Sequence, residues 1–169
     1  MDRLFNFSAG PGTLPVDVLE EAREEMLVYK DAGASIMEIS HRSPQYTTLA
    51  ETTRQHFRDL LGMGEEWHIL FLQGGASLQF YQTALNFLTS GVTGDYVVTG
   101  AWAEKALAEA TLVGQARAVA SSAETGHDHI PAAGAWDISD RAAYVHITSN
   151  NTIYGTQFQD DPIIDVPLV

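Results

Sequence analysis

The alternation of polar and apolar positions changes character near residue 67. Before it, apolar residues recur at helical spacing. Leu19, Ala22, Met26 and Tyr29 form one stripe behind Pro15, with Asp17, Glu20 and Glu21 near the amino end and Gly33 as a stop. Tyr46, Leu49, Thr53, Phe57 and Leu60 or Leu61 form a second, opened by Ser43-Pro44 as cap and first helical residue and closed by Gly62. The short apolar run Ile36–Ile39 between them reads as extended. From Trp67 onward the apolar residues are continuous over short runs. Trp67–Leu72, Asp95–Gly100, Gln115–Ala120 and Ala143–Thr148 have the length and composition of strands buried on both faces. Leu78–Leu88 and Ala103–Val113 are apolar segments long enough for helices. Residues 123–135 are polar and read as a surface loop, Asn150-Asn151-Thr152 as a turn, and Ile163–Val169 as the beginning of one more strand.

Strands alternating with helices at this spacing predict an α/β fold with a mainly parallel sheet and flanking helices. Residues 1–14, with the turn-forming Ser8-Ala9-Gly10-Pro11-Gly12, are expected to form an irregular arm, and residues 15–169 one domain. Because the chain ends within an apolar run, that domain is expected to be incomplete, a piece of a longer protein.

Composition narrows the function. The formal net charge is −13, with only two lysines, Lys30 and Lys105. Such a surface repels nucleic acid and anionic lipid, so neither is an expected partner. An anionic ligand would need a local exception built from backbone N–H groups and placed arginines. Cysteine is absent, which removes disulfides and thiolate metal sites. No apolar run has the length of a bilayer-crossing helix and the amino end lacks the pattern of a secretion signal, so a cytoplasmic protein is expected.

Four places carry candidate chemistry. Gly74-Gly75-Ala76-Ser77 joins an apolar run to a helix. Glycines let the backbone approach an anion, and a helix start offers unpaired N–H groups and the positive end of its dipole. A phosphate held by Gly75, Ala76 and Ser77 is one reading; a plain turn with a capping serine is the other. Trp102 follows a strand, where an indole can stack on a flat heterocycle or simply join the core. Thr152 follows another strand and can bond a ring substituent or belong to an ordinary turn. His41-Arg42 offers a histidine donor and a guanidinium for a carboxylate or phosphate, or is a solvated pair. His127 and His129 flank Asp128 with no third ligand at metal spacing, so no metal site is assigned.

Several motifs together resemble the phosphoserine aminotransferases: Asn6-Phe7-Ser8-Ala9-Gly10-Pro11, Leu14-Pro15, Met37–Ser43, Phe71–Phe80, Gly100-Ala101-Trp102 and His146–Gly155. The resemblance implies a partial large domain of a fold-type I transferase that uses pyridoxal 5′-phosphate (PLP). It implies transfer of an amino group from glutamate to 3-phosphohydroxypyruvate in serine biosynthesis, with a role in pyridoxine biosynthesis in many members. The full-length form would be a homodimer with active sites at the subunit interface. Gly75, Ala76 and Ser77 would hold the cofactor phosphate, Trp102 would stack on the pyridine ring, and Thr152 would bond near its phenolic oxygen. His41 and Arg42 would hold the acidic end of the substrate. Some members carry arginine where Ser77 stands and serine where Ala9 stands, which implies a changed phosphate contact. The family's aspartate for the ring nitrogen and its Schiff-base lysine would lie beyond Val169. Lys30 and Lys105, both on expected helices, do not match that motif, so the isolated chain is expected not to transaminate. The alternatives are another fold-type I aminotransferase, or a truncated subunit that binds without chemistry.

Overall fold

A computed structural model describes residues 3–169. Backbone contacts divide the chain into two units, one running to Phe71 and the other Leu72–Val169.

The first unit holds two helices. Helix α1 spans Val16–Glu24, so the predicted helix stops well short of Gly33. The chain turns instead: Tyr29 N–H donates to Ala34 O at 2.9 Å, and Lys30 and Gly33 take positive φ values. Lys30 therefore lies in a turn, off any helix. The Ile36–Ile39 run is also a turn. Ser35 Oγ accepts from Met37 N–H, and Glu38 Oε2 accepts from Ser35 N–H at 3.1 Å, a local reciprocal cap that outcompetes extension. Helix α2, Pro44–Leu61, matches its sequence signals. Ser43 Oγ accepts from Tyr46 N–H at 3.2 Å, Pro44 opens the helix, and Gly62 closes it at φ 63°. Neither α1 nor α2 has a fully buried residue.

The second unit packs two helices on one face of a sheet. Helix α3 (Gly75–Phe87) precedes strand β1 (Thr93–Val98), helix α4 (Ala101–Thr111) and strand β2 (Ala116–Ser121). Strand β3 (Ala142–Ile147) follows, then a hairpin of β4 (Asn150–Asn151) and β5 (Thr156–Gln157). The sheet order is β2-β1-β3, all parallel. Alternation along β1 feeds two cores. Tyr96 and Val98 face α3 and α4 through Ala84, Ala103, Ala106 and Ala110. Val97 packs on the other face with Val119, Trp136, Val145 and Ile147. The alanines at helical spacing let helix and sheet approach closely.

Two strand expectations change. Trp67–Leu72 forms no ladder, and Trp67, Leu70, Phe71 and Leu72 are each more than half exposed. A strand exists only against a neighbour, and the run has none among the described residues. Ile163–Val169 gains a single parallel bridge, Leu168 to Val145, with Ile147 N–H donating to Val169 O at 2.9 Å. The 123–135 segment is partly ordered into 3₁₀ turns, Ala123–Thr125 and Ala133–Ala135, and buries His127.

Candidate functional site

In the second unit, the start of α3 lies at the carboxyl edge of the sheet. Phe80 packs on His146 (ring centroids 5.8 Å apart) and Phe87 on Tyr144 (6.1 Å), so α3 runs antiparallel to β3. Ser77, about one turn before Phe80, therefore extends towards the end of β3. The helix begins at Gly75, earlier than the expected Leu78. Gly74 sits at φ 93°, and a Cβ there would fall 2.5 Å from Leu78 Cδ2, so the tight entry requires glycine. No side chain caps this helix. The N–H groups of Gly75, Ala76 and Ser77 thus have no carbonyl behind them within the helix. Gly75 and Ala76 are exposed, and Ser77 is half-buried.

Helix α4 starts at the same edge, directly after β1. Its amino end is already tied. Asn151, fully buried, accepts from Ala103 N–H at 3.3 Å through Oδ1 and donates to Thr99 Oγ1 at 2.9 Å through Nδ2. Thr156 Oγ1 donates to Thr99 O, clamping the hairpin to the end of β1. This places Thr152 against α4: Trp102 Nε1 donates to Thr152 Oγ1 at 2.9 Å. An indole N–H can only donate, so the Thr152 oxygen accepts and its own proton is free to point elsewhere. Trp102 keeps 37% of its surface exposed, enough to offer a ring face.

The end of β3 adds two buried atoms without partners, His146 Nδ1 and Thr148 Oγ1. Burial pushes the His146 imidazole down to about 4, so it is neutral at physiological pH. Its ring stacks on Tyr96 at 4.9 Å, and Tyr96 and Tyr144 share a hydroxyl bond of 2.7 Å. Burial, reinforced by that bond, holds the Tyr96 phenol well above its ordinary range, while at Tyr144 burial raises the phenol and the bond works against it.

Residues 4–166 match the family model for class-V aminotransferases. The chain belongs to the class-V aminotransferases. The chain is 47% identical over its whole length to the phosphoserine aminotransferase of Bacillus subtilis (strain 168), and 48% identical to that of Geobacillus kaustophilus (strain HTA426). Among solved structures, a phosphoserine aminotransferase studied for radiation damage of its Schiff base superposes with a TM-score of 0.91 at 47% identity. A PLP-bound phosphoserine aminotransferase from Trichomonas vaginalis superposes with a TM-score of 0.88 at 35% identity. These matches cover 98–100% of this chain but 47% of each relative, so the chain spans about half the length of the proteins it resembles.

Within this class-V aminotransferase chain, the structure joins Trp102 to Thr152 directly and sets the open start of α3 at the same sheet edge. His41 and Arg42 belong to the first unit. Both are exposed, and the pair is held by a local turn in which Arg42 N–H donates to Ser40 Oγ at 3.1 Å. Two contributors were not evident from sequence. Asn151 looked like one turn residue among several, and only its neighbour Gly100, which leaves room for it, hints at burial. His127 sat in a polar stretch, and its partner Glu104 is 23 positions away.

Proposed function

We propose that this chain forms the phosphate- and ring-contacting part of a PLP-dependent phosphoserine aminotransferase, acting on glutamate and 3-phosphohydroxypyruvate in serine biosynthesis. The observation that carries the reading is the contrast between two helix starts at one sheet edge. That of α4 is occupied by Asn151, while that of α3 is left open to an anion.

The residues present fit PLP. Its phosphate would take the N–H groups of Gly75, Ala76 and Ser77, with the Ser77 hydroxyl as a further donor. The exposed face of Trp102 suits a flat pyridine ring, and the free proton of Thr152 suits the ring's phenolic oxygen. A serine at 77 contributes hydrogen bonds without charge, so the helix dipole and backbone must offset the repulsion of an acidic protein. PLP supplies an electron sink for the bond-breaking at the amino-acid carbon. The chain's own residues would bind and orient it: Trp102 would stack on the ring, Thr152 would bond near its phenolic oxygen, and His41 with Arg42 would take the substrate's acidic end. Serine-pathway chemistry, a homodimer in the full-length form and a part in pyridoxine biosynthesis belong to the same proposal.

Transamination also needs a lysine amine to carry the cofactor and move the proton. Residues 1–169 offer only Lys30, in a turn of the first unit, and Lys105, on α4. The 169 residues alone therefore bind but do not transaminate. Spectrophotometric titration with PLP, followed by borohydride treatment, tests this. Expected is a saturable shift lost in Trp102→Ala and Ser77→Asp, with no reducible adduct on the 169-residue chain. Saturable binding indifferent to both substitutions would overturn the site assignment.

A further inference from the structure

We propose that His127 is a positioning residue that holds the Trp102–Thr152 pair in register. The imidazole is nearly fully buried, with 4% of its side chain exposed, and each of its edges is engaged. Nε2 lies 3.2 Å from Glu104 Oε1, on the first turn of α4 two residues after Trp102. Nδ1 lies 3.4 Å from Ser122 Oγ, at the carboxyl end of β2. The ring meets Tyr154 edge-on with centroids 4.8 Å apart, in the hairpin turn two residues after Thr152. With a carboxylate at Nε2, that nitrogen carries a proton and donates, while the Ser122 hydroxyl can serve Nδ1 as donor or acceptor.

The ring thus touches both elements that the Trp102–Thr152 bond connects. Asn151 and Thr156 clamp the base of the hairpin to Thr99 and to the start of α4, while towards its tip the indole is tied by one exposed hydrogen bond of 2.9 Å. With His127, the hairpin tip and the first turn of α4 are wedged against a common buried body. The backbone supports this reading. His127 adopts φ 58°, a left-handed conformation that a Cβ-bearing residue avoids, and is fixed there by its N–H donating to Ser122 O at 2.8 Å. The chain accepts an unfavourable backbone at the one place that delivers this imidazole.

The consequence for PLP rests on the reading above, but the strut itself can be measured without cofactor. In the complete protein that carries this sequence, the indole N–H of Trp102 is assigned by its loss in Trp102→Phe, and its hydrogen exchange is followed in the apo state. We expect exchange about tenfold faster in His127→Ala and Glu104→Ala, as loss of one ordinary hydrogen bond produces, and near wild type in Glu104→Gln, which keeps the acceptor. The Glu104 side chain is 56% exposed, so Glu104→Ala decides even if His127→Ala does not fold. The PLP dissociation constant should rise in step with exchange, and the effect of Glu104→Ala on it should vanish in a Thr152→Val background. Unchanged indole exchange in Glu104→Ala overturns the strut. Wild-type protein that takes up no PLP, with exchange behaving as expected, overturns the cofactor reading alone.

Discussion

The two units of this chain share a similar share of apolar residues but use them differently. In Leu72–Val169, helices and strands enclose fully buried Tyr96, Val97, Tyr144 and Val145, and even polar groups such as Asp95 and Asn151 are sealed and paired. In the residues up to Phe71, the stripes of α1 and α2 remain largely open, and Tyr29 and Ser35 are the only buried side chains among those described. The lesson is that a helix can be specified locally, by Ser43, Pro44 and Gly62, without a buried face of its own. A parallel sheet cannot, because each strand is defined by its neighbours.

The comparison can be broken most forcefully in the sheet. Val97→Asp buries an unpaired carboxylate between β2 and β3 and should cost more than about 4 kcal/mol, abolishing cooperative urea unfolding of that unit. A loss below about 1 kcal/mol would mean that the core opens easily to water.

Acid should act next, again on the sheet unit. His146 is held down to about 4 by burial, against an unfolded value near 6.5. Its contribution is therefore constant above pH 6.5. Below that, the unfolded chain takes up a proton that the folded chain refuses, and stability falls until about pH 4. The difference of roughly 2.5 units corresponds to about 3 kcal/mol lost across that window. Urea midpoints measured from pH 7 to 4 should show this decline, and His146→Phe should flatten it.

The smallest effect is expected at the open stripe. Leu60, 83% exposed, should tolerate Gln within about 0.5 kcal/mol by urea unfolding. A loss above 2 kcal/mol in the complete protein would show that this stripe is covered in solution, and the contrast between the units would shrink.

Legibility in the sequence followed the same division. The caps of α2, the strand–helix alternation after residue 93, and the positions of Trp102 and Thr152 after strands were all readable, because each depends on a few adjacent residues. Trp67–Leu72 reads as a strand but forms none, because an apolar run states a wish for burial but not the partner that grants it. The start of α3 lies a turn earlier than its sequence suggests, because Gly74 and Gly75 look like a turn, whereas at φ 93° and 61° they lead straight into the helix. His127 reads in sequence as part of a polar loop, because the residues that converge on it, Glu104, Ser122 and Tyr154, come from three separate elements.

Gly100 and Asn151 interlock in a way that constrains how this protein can vary. A Cβ at Gly100 would stand 2.7 Å from three atoms of the Asn151 side chain, so no larger residue enters there unless position 151 retreats. A smaller residue at 151 would in turn release Thr99 and the start of α4 together. Descendants of this sequence should therefore exchange the two positions as a couple or keep both.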